Sequence, residues 1–403
     1  MTHNFTRMNQ LLAATSIFLC MAGTSTAQIK TNEKFGKGIH IAAEDTSFSL
    51  KFATRIQTLY EGHYIVTDDT SITDHYSDKL LTRRARLKFE GFAFSPKVTY
   101  KMELGLTNRD HGGGNISQSN NTANIILDAV VKWEVCKNTQ LWFGQTKLPG
   151  NRERVVSSQS LQFVDRSQVN SNFNIDRDMG IQLHHTSTTG NVVIREIASI
   201  SMGEGRDITA SNSGGYDYTG RVEVLPFGEF TGKGDYFLSD LKREEKPKLA
   251  LGITYDFDDD ATREEGHLGK FLSASTDLST LLADAIFKYN GICVLGEFAN
   301  RTSSTSPAIT DSTGNILQSF VTGTGVNMQA GYLFKNNVEV AARTTMISPE
   351  VATGRNGIQE TTLCVSKYIA GHHLKIQSDL SYRKEDHVSD DLLIFRFQVE
   401  LGL

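Results

Sequence analysis

Residues 83–91 read RRARLKFEG. From Arg84 onward the parity is strict: Arg84, Arg86, Lys88 and Glu90 fall on one side, and Ala85, Leu87, Phe89 and Gly91 on the other. A two-residue period is that of a β-strand, whose successive side chains point to opposite faces. One face is charged and the other apolar. A soluble sheet would turn the apolar face to a core and the charged face to water, whereas a membrane barrel would turn the apolar face to lipid and the charged face to its lumen. A single strand does not separate the two.

The rest of the chain does. Phe48, Leu50, Phe52 and Ile56 alternate with Ser49, Lys51, Ala53 and Arg55, and Tyr100, Met102, Leu104 and Leu106 alternate with Lys101, Glu103, Gly105 and Thr107. Leu249, Leu251, Ile253, Tyr255 and Phe257 repeat the pattern, as do Leu374, Ile376, Leu380 and Tyr382. About sixteen such segments of roughly ten residues occur, the even number and the length of outer-membrane strands. They begin near residues 48, 80, 98, 124, 139, 179, 192, 218, 248, 280, 292, 325, 338, 358, 373 and 392. The expected fold is all-β, a transmembrane antiparallel β-barrel.

The connections alternate as well. Phe94-Ser95-Pro96-Lys97, Cys136-Lys137-Asn138, Asn290-Gly291, Lys335-Asn336-Asn337 and Gly371-His372 are tight turns built on Asn, Gly or Pro. Between them lie long polar stretches at residues 108–122, 301–315 and 348–357. Short turns on one rim and long loops on the other are the barrel arrangement, with the turns toward the periplasm. Proline cannot donate to a ladder, and Pro96, Pro149, Pro226, Pro247, Pro307 and Pro349 all fall in expected turns, loops or strand ends. The final segment, LLIFRFQVELGL, ends inside an alternating strand that can pair with the first and remove the sheet edge.

At the front, Arg7 precedes an apolar run from Leu11 to Met21, with small residues at Ser25 and Ala27. This pattern is a secretory signal peptide cut after Ala27, and a lipid anchor at Cys20 fits less well because Phe18 and Leu19 stand before it. Residues 28–46 then form a polar extension and 47–403 the barrel. A formal net charge of −5 argues against a nucleic-acid partner. Cys136, Cys293 and Cys364 are odd in number and lack metal-ligand spacing. No stretch after the leader approaches the 18 or so consecutive apolar residues of a membrane helix. His184-His185 and His372-His373 are adjacent pairs that cannot turn both rings to one ion along a strand, and no Gly-rich phosphate loop or nucleophile elbow has the strand-turn-helix context it needs. No cofactor, metal or catalytic residue is expected.

The stretch GQTKLPGNRERVVSSQSLQFVDR at residues 144–166 resembles the phosphate-selective porin O and P family, in its Bacteroidetes-type outer-membrane form. RRARLKFEG, DAVVKW at 128–133, RDMGIQL at 177–183, GRVEVLPFG at 220–228, PKLALGITYDF at 247–257 and ADAIFKYNGICVLGEFANR at 283–301 are similar to the same family. The resemblance implies a sixteen-stranded, usually trimeric barrel whose third long loop, here at about 148–178, folds inward as a constriction. It also implies passive diffusion of small hydrophilic solutes and ions, with outer-membrane lipid around the barrel. The family's arginine ladder is matched at RRARLKFEG but not throughout.

The alternation assigns Arg55, Arg84, Arg86, Lys88, Lys101, Arg221, Arg301 and Arg343 to the lumen as pore-lining candidates, along with Lys132, Lys288, Lys375 and Arg396. Glu90, Glu103, Asp128, Glu223, Asp284 and Glu297 fall on the same face, so the cation excess is small. The constriction adds Lys147, Arg152, Arg154, Arg166 and Arg177, with Glu153, Asp165, Asp176 and Asp178 beside them. Rings of unpaired charge at the narrowest place set pore selectivity, so a modest preference for anions such as phosphate is expected. Two other classes stay open: a secreted β-rich glycan-binding protein, which would be soluble without detergent, and an outer-membrane barrel enzyme, which would hydrolyse a lipid or ester.

Overall fold

The computed structural model describes residues 27–30, 35–66, 76–111, 117–119 and 123–403. Residues 1–26 of the expected leader and part of the 108–122 loop lie outside the described residues. In chain order the strands are β1 (Ala27–Lys30), β2 (Ile39–Ala43), β3 (Ser49–Val66), β4 (Tyr76–Ala93), β5 (Ser95–Gly105), β6 (Ile126–Cys136) and β7 (Thr139–Lys147). They continue as β8 (Arg177–Thr189), β9 (Val192–Ser201), β10 (Asp217–Leu225), β11 (Lys248–Arg263), β12 (Phe271–Tyr289) and β13 (Ile292–Ser303). The last are β14 (Ala308–Thr310), β15 (Ile316–Ser319), β16 (Gly323–Leu333), β17 (Val338–Pro349), β18 (Ile358–Tyr368), β19 (Leu374–Glu385) and β20 (Asp391–Gly402).

β3–β13 and β16–β20 pair antiparallel in sequence order, and β20 closes on β3 from Asp391↔Val66 to Gly402↔Arg55. The result is a closed sixteen-strand barrel, as the alternation predicts, and the expected strand starts agree within a few residues except that β12 begins at Phe271 rather than near 280. The extension before the barrel is partly strand: β2 pairs with the first residues of β3, Ile39 opposite Phe52, and so carries the sheet on below the end of β20. β14 and β15 form a separate small hairpin in the long connection between β13 and β16.

The tight turns match their chemistry. Asn290 and Gly291 have φ of 48° and 90°, the two positive values that a two-residue hairpin of primed type requires. One connection on this rim departs from the rule of short turns: residues 226–247 join β10 to β11.

The outer face carries the apolar side chains: Ile253 is 53% exposed and Leu363 60%, values that suit a wall facing lipid. Leu87 belongs to this face, opposite Thr54 of β3. Leu87→Arg is expected to cost about 2–4 kcal/mol if it meets the bilayer midplane, read as a lower denaturant midpoint for refolding into vesicles. An unchanged midpoint would place Leu87 outside the hydrocarbon layer.

The buried apolar core lies inside the barrel. Residues 148–176 fold into the lumen and pack Val156 and Leu161 with Ala250, Ile286, Cys293 and Leu295 of the wall. Leu148, Val169, Phe173 and Ile175 pack with Leu282, Ala299 and Ile347, and Phe163 packs with Ala341 and Cys364. The lumen face is therefore not polar all round. β12 is apolar on both faces at Leu281 and Leu282 because lipid covers one side and the inward loop the other.

Candidate functional site

Two segments enter the lumen from opposite rims. The first, residues 148–176, holds a short helix at Arg152–Val155 and another at Gln168–Phe173. The second is the long connection at 226–247, whose Phe230 and Leu238 join the same apolar cluster as Val156 and Leu161. The two touch directly where the Leu238 amide donates to the Ser160 carbonyl at 2.8 Å.

Wall cations hold both segments by their backbone. Lys288 donates to the carbonyls of Gly234, Phe237 and Ser239 at 2.8, 2.7 and 2.6 Å. Arg301 donates to Asn172 and Asn174, Arg343 to Asp165, and Lys375 to Leu161. Lys147 donates to the carbonyls of Arg154, Val155 and Val156, and Arg166, on the inward segment itself, donates to those of Glu153 and Val156. These last carbonyls end a short helix that has no partners of its own for them, and cations there oppose its negative end.

The inward segments fill the side of the barrel nearest β11–β19 and leave an open channel of about 1410 Å³ along β4–β9. Of the pore-lining candidates, Arg84, Arg86, Lys88, Lys101 and Arg221 line this channel. Arg55, Arg301 and Arg343 do not: they face inward but are buried, Arg55 against Glu400 and Ser158 and the other two beneath the inward loop. Of the constriction candidates, Lys147, Arg154, Arg166 and Arg177 line the channel. Lys147 and Arg177 stand opposite each other at the strand ends that flank the loop. Arg152 is 1% exposed and is bound by Glu223, Asp284 and Asp235, which removes it from the anion path.

Other lining residues escape a parity reading. β4 contains a bulge: Gln57 pairs with Arg84 and Thr58 with Thr82, so Arg83 has no partner and joins Arg84 on the inner side. Arg206 and Lys233 reach the channel from connections, whereas Arg383 follows the inward parity of Lys375 on β19. Lys132, which the alternation does place inward, is held over the Trp142 ring at 3.5 Å, and Trp142 in turn stacks on His184.

Seventeen basic and nine acidic side chains line the channel. Arg86 pairs with Glu103 and Asp110, Lys101 with Glu103 and Asp128, Arg177 with Asp128, and Arg154 with Asp176. Among the described residues, Lys132, Lys147, Arg166, Arg206 and Lys233 have no carboxylate in ion-pair contact. Burial, with Arg86 and Arg177 nearby, lowers the Arg166 guanidinium to about 10 despite Glu153. Burial pushes the Asp165 carboxyl up, but Arg83 and Arg84 outweigh it and hold it well below the usual carboxylate range. Positive charge unmatched by acids along a confined aqueous path raises the local concentration of anions.

Residues 53–233 match the family model described as phosphate-selective porin O and P, so the resemblance read from RRARLKFEG and GQTKLPG holds across that part of the chain. No curated protein matches the sequence. The solved anion-selective porin of Comamonas acidovorans is 11% identical over 88% of this chain and 100% of that one, with a TM-score of 0.55. The outer membrane channel DcaP of Acinetobacter baumannii is 13% identical over 90% and 99%, at 0.53. OprB of Pseudomonas putida is 10% identical over 88% and 94%, at 0.52. At such identities the likeness is one of fold.

Proposed function

We propose, with the phosphate-selective porin family of residues 53–233 as premise, that the chain is an outer-membrane porin that passes small hydrophilic solutes and prefers anions such as phosphate. It is a channel rather than an enzyme. The observation that carries the anion preference is the excess of seventeen basic over nine acidic side chains along one continuous lumen, in a chain whose overall charge is negative. A homotrimer set in outer-membrane lipid, implied by the resemblance, belongs to the same proposal.

The test is the reversal potential of the refolded protein in a planar bilayer across a potassium chloride gradient. The expected value lies on the chloride side of zero. Lys132→Glu should move it toward the potassium side, since that lysine faces the channel without a paired carboxylate. A wild-type value on the potassium side would keep the pore and remove the anion preference, and a folded protein without conductance would remove the pore.

A further inference from the structure

Arg83 and Arg84 are adjacent residues of a wall strand that both line the channel, and the β4 bulge is what permits it. Both guanidinium groups close on one carboxylate. Arg83 donates to Asp165 Oδ2 and Oδ1 at 3.3 and 3.0 Å, and Arg84 to Oδ1 at 3.0 Å. Planar guanidinium groups converging on two oxygens make a grip suited equally to carboxylate and to the oxygens of phosphate. Here the ligand comes from the chain itself, out of the inward loop.

The loop does not need the Asp165 side chain to stay in place. The Asp165 carbonyl accepts from Arg343 at 2.9 Å, and the neighbouring Val164 amide donates to Asp379 at 3.2 Å. Phe163 is buried against Ala341 and Cys364. The carboxylate itself is partly open to the channel, with 20% of its side chain exposed. Position is thus set by backbone and apolar contacts, while the carboxylate neutralises the arginine pair.

We propose that Asp165 is the residue that limits this channel's affinity for multiply charged oxyanions: a tethered carboxylate that occupies the Arg83–Arg84 grip and competes with the solute for it. The inference rests on the porin reading above. Without Asp165 the two arginines become a free oxyanion site in the conduction path. With it they carry half their charge balanced and their best donors occupied.

The experiment measures block of single-channel chloride current by added inorganic phosphate, in the wild type and in Asp165→Asn. The amide keeps the shape and removes the charge. The half-blocking phosphate concentration should fall about tenfold or more, because a doubly held charged acceptor is given up to the solute. Adding Arg83→Gln and Arg84→Gln to Asp165→Asn should abolish that gain. If Asp165→Asn does not fold, Asp165→Ser is measured the same way. Equal phosphate block in wild type and variant overturns the proposal, as does a gain that survives loss of both arginines. Either result leaves the porin reading standing, which fails separately if the wild type shows no current.

Discussion

Arg152→Ala is expected to lower barrel stability by about 3–5 kcal/mol, the cost of withdrawing one partner from a buried charge cluster, and to turn a steady current into a larger and noisier one. Arg152 sits on the inward loop with its guanidinium 2.9 Å from Glu223 of β10, 3.0 Å from Asp284 of β12 and 3.6 Å from Asp235 of the 226–247 segment. Arg221 shares Glu223 and Asp284, and Arg195 shares Glu223 and Asp235. Three guanidinium groups thus serve three carboxylates, and the substitution leaves those carboxylates with two. The cluster is closely packed: a Cβ on Gly252 would lie 2.3 Å from an Arg221 nitrogen and 2.7 Å from an Asp284 oxygen, so the wall has no slack to compensate. Arg152→Lys restores the charge without the fork and should recover part of the stability. Denaturant midpoint in detergent and single-channel recording give the two readouts. If neither changes, the apolar cluster around Val156 and Leu161 holds the loop unaided.

The barrel is legible from parity because lipid and water impose opposite demands on alternate residues of every strand. Parity also states which side chains face inward, and it does so correctly for Arg84, Arg86, Lys88, Lys101, Arg301 and Arg343. What it does not contain is which inward side chains meet water. That depends on the placement of the inward segments, whose contacts are long-range: Arg301 reaches Asn172, and Arg343 reaches Asp165. Arg301 and Arg343 look like a ladder in sequence and act as anchors in space. Leu282, Ile286 and Leu295 on the lumen face were the available sign, since an apolar residue facing an empty channel has no partner and must be covered by something. The β4 bulge left a trace too, because two consecutive arginines at 83 and 84 cannot both be explained by a strict two-residue period. The 226–247 connection hid behind a local rule. Tight turns on that rim are general, and a single exception shows only as a long stretch between β10 and β11.

Shortening that exception should widen the pore. The β10–β11 register sets Val224 opposite Leu251, so replacing residues 228–247 with Asn-Gly, together with Pro226→Thr, continues the ladder into a two-residue turn between Phe227 and Lys248. The barrel should still close, because every strand pair remains. The lumen should lose Phe230 and Leu238, which cover Val156 and Leu161 of the inward loop, and Asp235, which pairs with Arg152 and Arg195. Lys288 should lose three carbonyl acceptors and become a hydrated lumen cation. Since Lys233, Tyr236 and Phe237 line the open path, single-channel conductance is expected to rise about twofold or more as the conducting cross-section grows. The freed Lys288 should stand in for the Lys233 charge that the deletion removes, keeping the reversal potential on the chloride side. Unchanged conductance in a folded variant would mean that the segment stands outside the ion path, and that the inward loop alone sets the constriction. A rise in conductance with chloride preference intact would show that the short-turn rim contributes a second wall to the pore, built from a connection where the barrel needs only a turn.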